Sequence, residues 1–165
     1  MSGLVVDASA AMTLLTARRD REAVHAQLRR RILAGEPILV PSLFWIQVVE
    51  ALSHEHGQPP TAVVEAVYEL GRLGLETAEV GRPGVLAVID AVGRGVTAAE
   101  AAYLVLAESA EAELLTANPL LAAVAGERAT LVGTARHVRR PRRTDRSWVR
   151  WRGAVAYLRE LRSAL

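Results

Sequence analysis

The sequence predicts an α/β protein with a mostly parallel sheet, and two observations lead there. Short apolar runs of strand length alternate with longer stretches of helical periodicity, and capping and turn residues fall between them. The chain of 165 residues, 51% hydrophobic and 23% charged, also has the size and composition of one domain with a substantial buried core.

Leu4–Val6 suits a buried strand, and a helix follows from Ala8 to about residue 17. Asp20–Ala34 continues as helix, with Gly35 as its stop. Ile38–Val40 makes a second strand, after which Ser42 is expected to cap a helix carrying Leu43, Ile46, Gln47, Glu50 and Ala51 at helical spacing. Gly57-Gln58-Pro59-Pro60 ends that helix, and Thr61–Leu73 forms the next. Leu75–Val80 alternates as a strand, while Pro83–Val92 and Thr97–Glu108 read as helices. Leu114–Thr116, Pro119–Ala125 and Thr130–Val132 complete the series as strand, short helix and strand. Strands joined by helical crossovers predict helices on both faces of the sheet, a three-layer arrangement. No internal repeat is present.

The pattern breaks after residue 135, which divides the chain into a body (1–135), an Arg-rich linker (136–146) and a C-terminal amphipathic helix (147–165). The linker is too charged to bury. In the last segment Trp148, Trp151, Val155, Leu158, Leu161 and Leu165 recur at steps of three and four, which places them on one helical face. That face is expected to dock on the body or on a second subunit; base stacking by the tryptophans is the sharper alternative. All 20 basic residues are arginine. The body holds ten of them against sixteen acids, a balance of −6, whereas residues 136–165 hold ten against two, a balance of +8. An acidic body with a basic tail suits a polyanionic partner, or a tail that folds back on its own body.

Several classes drop out. With no cysteine there is no disulfide, thiolate zinc site or Cys nucleophile, and His25, His54, His56 and His137 lack zinc-motif spacing. The chain has no G-x-S-x-G, no Walker phosphate loop, no G-x-G-x-x-G after the first strand and no H-E-x-x-H. It has no basic leader and no apolar run of membrane-spanning length, so a soluble cytoplasmic protein with no membrane contact is expected.

The chemistry-bearing residues fall at strand ends or on the helices that follow them. They are Asp7, Gln47 and Glu50, Glu100, and Asn118. In an open α/β sheet that edge gathers ligands and metals, because strand ends and helix N-termini converge there. Oxygen-bearing side chains from distant segments suit hard divalent cations and phosphodiester hydrolysis. Each residue also has an ordinary local role available. Asp7 stands at a helix N-cap, Thr97 and Glu100 form a T-x-x-E capping box, and Asn118-Pro119 is an N-cap followed by a favoured N1 proline. Glu50 reads as an exposed helix acid, with Gln47 its polar neighbour one turn earlier.

Four segments in register over this βα alternation resemble the PIN-domain family, most closely its VapC-like toxin ribonucleases of bacterial toxin–antitoxin systems. They are Val5-Val6-Asp7-Ala8-Ser9-Ala10, the run from Val40 to Leu52, the run from Thr97 to Ala107, and Leu115-Thr116-Ala117-Asn118-Pro119-Leu120-Leu121-Ala122. The resemblance spans residues 4–133. It implies a PIN-like α/β/α sandwich and an endoribonuclease that uses Mg²⁺ or Mn²⁺. Asp7 and Glu100 would then be the main metal ligands, Glu50 or Gln47 a supporting one, and Asn118 a water-positioning group aided by Thr116. The implied partners are RNA, a cognate antitoxin and a second copy of the chain. Arg139, Arg140, Arg142 and Arg143 are the expected nucleic-acid contacts, or else basic residues offered in cis to the acidic groove.

The departures from the family pattern are specific. Gln47 stands where Glu is usual, Glu50 where a polar residue such as Asn is common, Glu100 where Asp is usual, and Asn118 where Asp is usual; only Asp7 matches outright. Each lost carboxylate weakens Mg²⁺ binding by roughly 1–4 kcal/mol, taking an effective dielectric near 20 to 80. The alternative reading is therefore a PIN fold that has lost catalysis and acts as an RNA-binding or regulatory protein.

Overall fold

The computed structural model describes residues 3–16 and 19–133, together with Ala156 and Arg159. Strands β1 (Leu4–Val6), β2 (Ile38–Pro41), β3 (Leu75–Ala78), β4 (Glu113–Thr116) and β5 (Ala129–Leu131) form one sheet in the order β3-β2-β1-β4-β5. Every pairing is parallel, with Leu4 beside both Ile38 and Glu113. The helices are α1 (Ala8–Thr16), α2 (Arg21–Leu33), α3 (Leu43–Glu50), α4 (Pro60–Gly71), α5 (Arg82–Val92), α6 (Ala98–Ser109) and α7 (Pro119–Ala125).

Strand order decides the layers. The chain steps outward from β1 to β2 to β3, returns across the sheet to β4, and then steps outward to β5. Right-handed crossovers put α1–α4 on one face and α5–α7 on the other. The packing agrees: α1 touches α2 and α3, α3 touches α4, and α6 touches both α5 and α7. The result is an α/β/α sandwich. Its core is the twice-covered strands β1, β2 and β4 with Leu14, Leu28, Phe44, Leu70, Tyr103 and Leu121 packed against them. The direction of travel reverses between β1 and β4, and the carboxyl ends of those two strands frame the switch point where α/β sheets open a crevice.

Three expectations change locally. Ser42 does not cap α3; its backbone is already helical and its side chain makes no capping hydrogen bond. The predicted third strand stops at Ala78 rather than Val80, because its partner β2 ends at Pro41, beside Ala78, and the chain is already helical at Ser42. Helix α3 does not run straight to Gly57 but widens into a π turn over Ala51–Glu55. Among the described residues, no helix is long and apolar enough to cross a membrane. The linker arginines Arg139, Arg140, Arg142 and Arg143, and the apolar stripe from Trp148 to Leu165, lie outside the described residues.

Candidate functional site

Asp7 follows β1 directly and is buried. Its Oδ1 accepts the Ala10 N–H at 2.8 Å, as the N-cap role predicts. The Ser9 hydroxyl lies 2.8 and 2.9 Å from the two carboxylate oxygens, and Thr116 Oγ1, from the end of β4, donates to Oδ2 at 2.7 Å. Burial lifts the Asp7 pKa above its ordinary value, against the pull of the Ala10, Thr116 and Ser9 hydrogen bonds. Ser9 and Thr116 are bound in turn: the Ala117 N–H donates to Ser9 Oγ at 2.9 Å and the Asn118 N–H to Thr116 Oγ1 at 2.9 Å. Strands β1 and β4 are thus stitched together at their carboxyl ends through side chains.

Asn118 and Glu100 meet. The Asn118 side-chain amide donates to Glu100 Oε1, while its own Oδ1 caps α7 by accepting Leu120 N–H at 3.0 Å and Leu121 N–H at 3.4 Å. Glu100 completes the capping box at the start of α6, where its Oε2 accepts the Thr97 N–H at 2.7 Å and Thr97 Oγ1 accepts the Glu100 N–H at 3.2 Å. The local roles legible in the sequence are therefore all used, and they join one another across the edge.

Gln47 enters through a residue that motif reasoning had not singled out. Tyr103 is buried on α6 and its hydroxyl donates to Gln47 Oε1. Burial raises its pKa far above the ordinary phenol, and the charge of Asp7 adds to the effect, while the Ala8 backbone works the other way. The phenol stays protonated and acts as a donor. A signal was present: Tyr103 carries the one polar group within the buried run Ala101–Ala107, and a buried hydroxyl needs a partner. Glu50, the last residue of α3, is exposed. The side chain that joins this helix to α6 is Gln47, not Glu50.

The donor set decides whether hard cations fit. Among the described residues, no group of three or more His, Cys, Asp or Glu side chains is arranged to hold a metal ion. Both Asp7 oxygens, both Glu100 oxygens, Asn118 Oδ1 and Gln47 Oε1 already accept hydrogen bonds from protein donors. Asn118 presents an N–H to Glu100 where a cation would need an oxygen. Mg²⁺ demands near-ideal oxygen geometry and is held largely through carboxylate charge. Two carboxylates beside the amides of Gln47 and Asn118 supply little charge for a pair of such ions. Beside this cluster the ends of β2 and β3 open onto an apolar cleft lined by Pro41, Leu43, Val80, Val85 and Ala102, which includes none of the candidate ligands.

No protein-family model matches the chain, and no curated protein does. The chain is similar to the crystal structure of PAE2754 from Pyrobaculum aerophilum. Identity is 26%, the likeness covers 78% of this chain and 82% of that one, and the TM-score is 0.57. That similarity supports the α/β sandwich.

Proposed function

We propose that this chain is a PIN-type, toxin-like domain whose nuclease site is catalytically silent and which works by binding RNA. The observation that carries the first part is that the cluster brings together only two carboxylates, Asp7 and Glu100, with amides at Gln47 and Asn118, and that the Asn118 amide turns its N–H toward Glu100. The RNA assignment rests on the family resemblance and on the +8 balance of residues 136–165. Arginines suit phosphate because the guanidinium stays charged and donates in a fixed fork. In this reading the protein is cytoplasmic, and an antitoxin or a second copy of the chain is its protein partner. The exposed Val85, Leu86 and Ile89 of α5 offer apolar surface for such a contact.

A second reading, a Mg²⁺- or Mn²⁺-dependent endoribonuclease, is favoured by a different observation. Asp7, Glu100 and Asn118 gather at the switch point, and Asp7 is a buried acid with a raised pKa, a common mark of functional sites.

The deciding experiment is cleavage of a mixed structured RNA with Mn²⁺, with Mg²⁺ and with EDTA, using identically purified Asp7→Ala protein as the control for contaminating nuclease. The expected result is no cleavage above control and no calorimetric heat of metal binding. RNA should be retained on filters with an affinity that falls steeply as salt rises. Metal-dependent cleavage that disappears in Asp7→Ala would overturn the silent-site proposal and leave the ribonuclease reading standing.

A further inference from the structure

Glu69 lies on the inward side of α4, beside Ala66 and Leu70, and is only 5% exposed. A buried carboxylate is costly unless a cation is bonded to it. Arg72, one turn along the same helix, comes no closer than 3.7 Å, too far for a hydrogen bond. The close cation comes from the far end of the chain. Arg159 Nε donates to Glu69 Oε1 at 3.2 Å, and Arg159 Nη2 donates to Glu65 Oε1 at 2.8 Å. Glu65 and Glu69 stand four residues apart on one helical face, where like charges repel unless something bridges them. One guanidinium with two N–H groups on two carboxylates is that bridge.

We propose that the Glu65–Glu69 pair of α4 is the docking site for the C-terminal segment of the same chain, with Arg159 as its anchor. Charge complementarity supports this occupant, a segment of balance +8 meeting a body of balance −6. Reach does too. The chain from Gly133 to Arg159 spans on the order of 80 Å when extended, whereas the whole sheet is roughly 20 Å wide at the usual strand spacing. Docking within one molecule is therefore within reach and needs no second copy. The inference is independent of whether the edge at Asp7 is catalytic.

Hydrogen exchange on the full-length chain tests it, read over residues 60–71 and over the C-terminal peptide. Arg159→Glu is expected to speed exchange in both regions about tenfold, the loss of one partly buried bridge between two carboxylates. The double variant Glu65→Arg with Arg159→Glu should recover most of the protection, since it restores opposite charges. Glu69→Gln, nearly isosteric, should give a smaller loss in the same two regions. Unchanged exchange over 60–71 in Arg159→Glu would overturn the proposal. So would protection that grows with protein concentration in the wild type, because that would place the docking between copies rather than within one.

Discussion

The two edges of the sheet solve the same problem in opposite ways. At the amino edge the buried Arg31 donates to Glu36 and to Glu113, and Glu113 also accepts from Thr130 and lies 3.4 Å from Arg30. There, charge meets opposite charge. At the carboxyl edge, among the described residues, the buried Asp7 meets only neutral donors, and Glu100 meets an amide and a backbone N–H. Hydrogen bonds of this kind hold geometry but leave the local charge unbalanced. The carboxyl edge is thus closed yet electrostatically poised, whereas the amino edge is closed and neutralised.

Removing the guanidinium should have the largest effect. Arg31→Met strands Glu36 and Glu113 in a partly buried site, and a loss of about 3–5 kcal/mol in unfolding free energy is expected from urea titration. A loss under 1 kcal/mol would erase the contrast between the edges.

Asp7 supplies the pH signature. Because its folded pKa lies above the ordinary value of 3.8, between those two values the folded chain holds a proton that the unfolded chain has released. Stability contributed by this group is therefore fully present below 3.8 and declines as pH rises through the folded value. Asp7→Asn should flatten that decline in urea midpoints measured from low to neutral pH. Parallel wild-type and variant curves would show that Asp7 is not the source.

Asn118→Asp sharpens the comparison more gently. It replaces the amide facing Glu100 with a second carboxylate, so stability in EDTA should fall by about 1–2 kcal/mol. Added Mn²⁺ should recover the loss in the variant and leave the wild type unmoved. Thr97→Ala should have the smallest effect, about 1 kcal/mol, because it removes one helix cap at an exposed end; a thermal melt is enough to measure it.

What the sequence made legible was whatever depends on near neighbours. Thr97 with Glu100, and Asn118 with Pro119, announce helix starts within four residues, and the structure forms both caps. The strand alternation and the position of Asp7 after β1 also followed from local pattern. The bond from Tyr103 to Gln47 was not legible, since it joins α6 to α3 across 56 residues and no spacing rule connects them. Nor did the motif show that the Asn118 amide would turn its N–H toward Glu100. Ser42 misled for a related reason: its residue type suits an N-cap, but the turn leaving Pro41 is already helical there.

The hydrogen bonds at the carboxyl edge run as one continuous chain. Asp7 leads to Thr116, Thr116 to the Asn118 backbone, and the Asn118 side chain to Glu100, which closes back on Thr97. The first turns of α1, α6 and α7 are thereby members of one relay, although they come from widely separated parts of the sequence. Helix ends ordinarily fray one by one. The amides of Ala10, Thr97 and Leu120 are therefore expected to exchange together, this rim breathing as one unit and not as three independent ends.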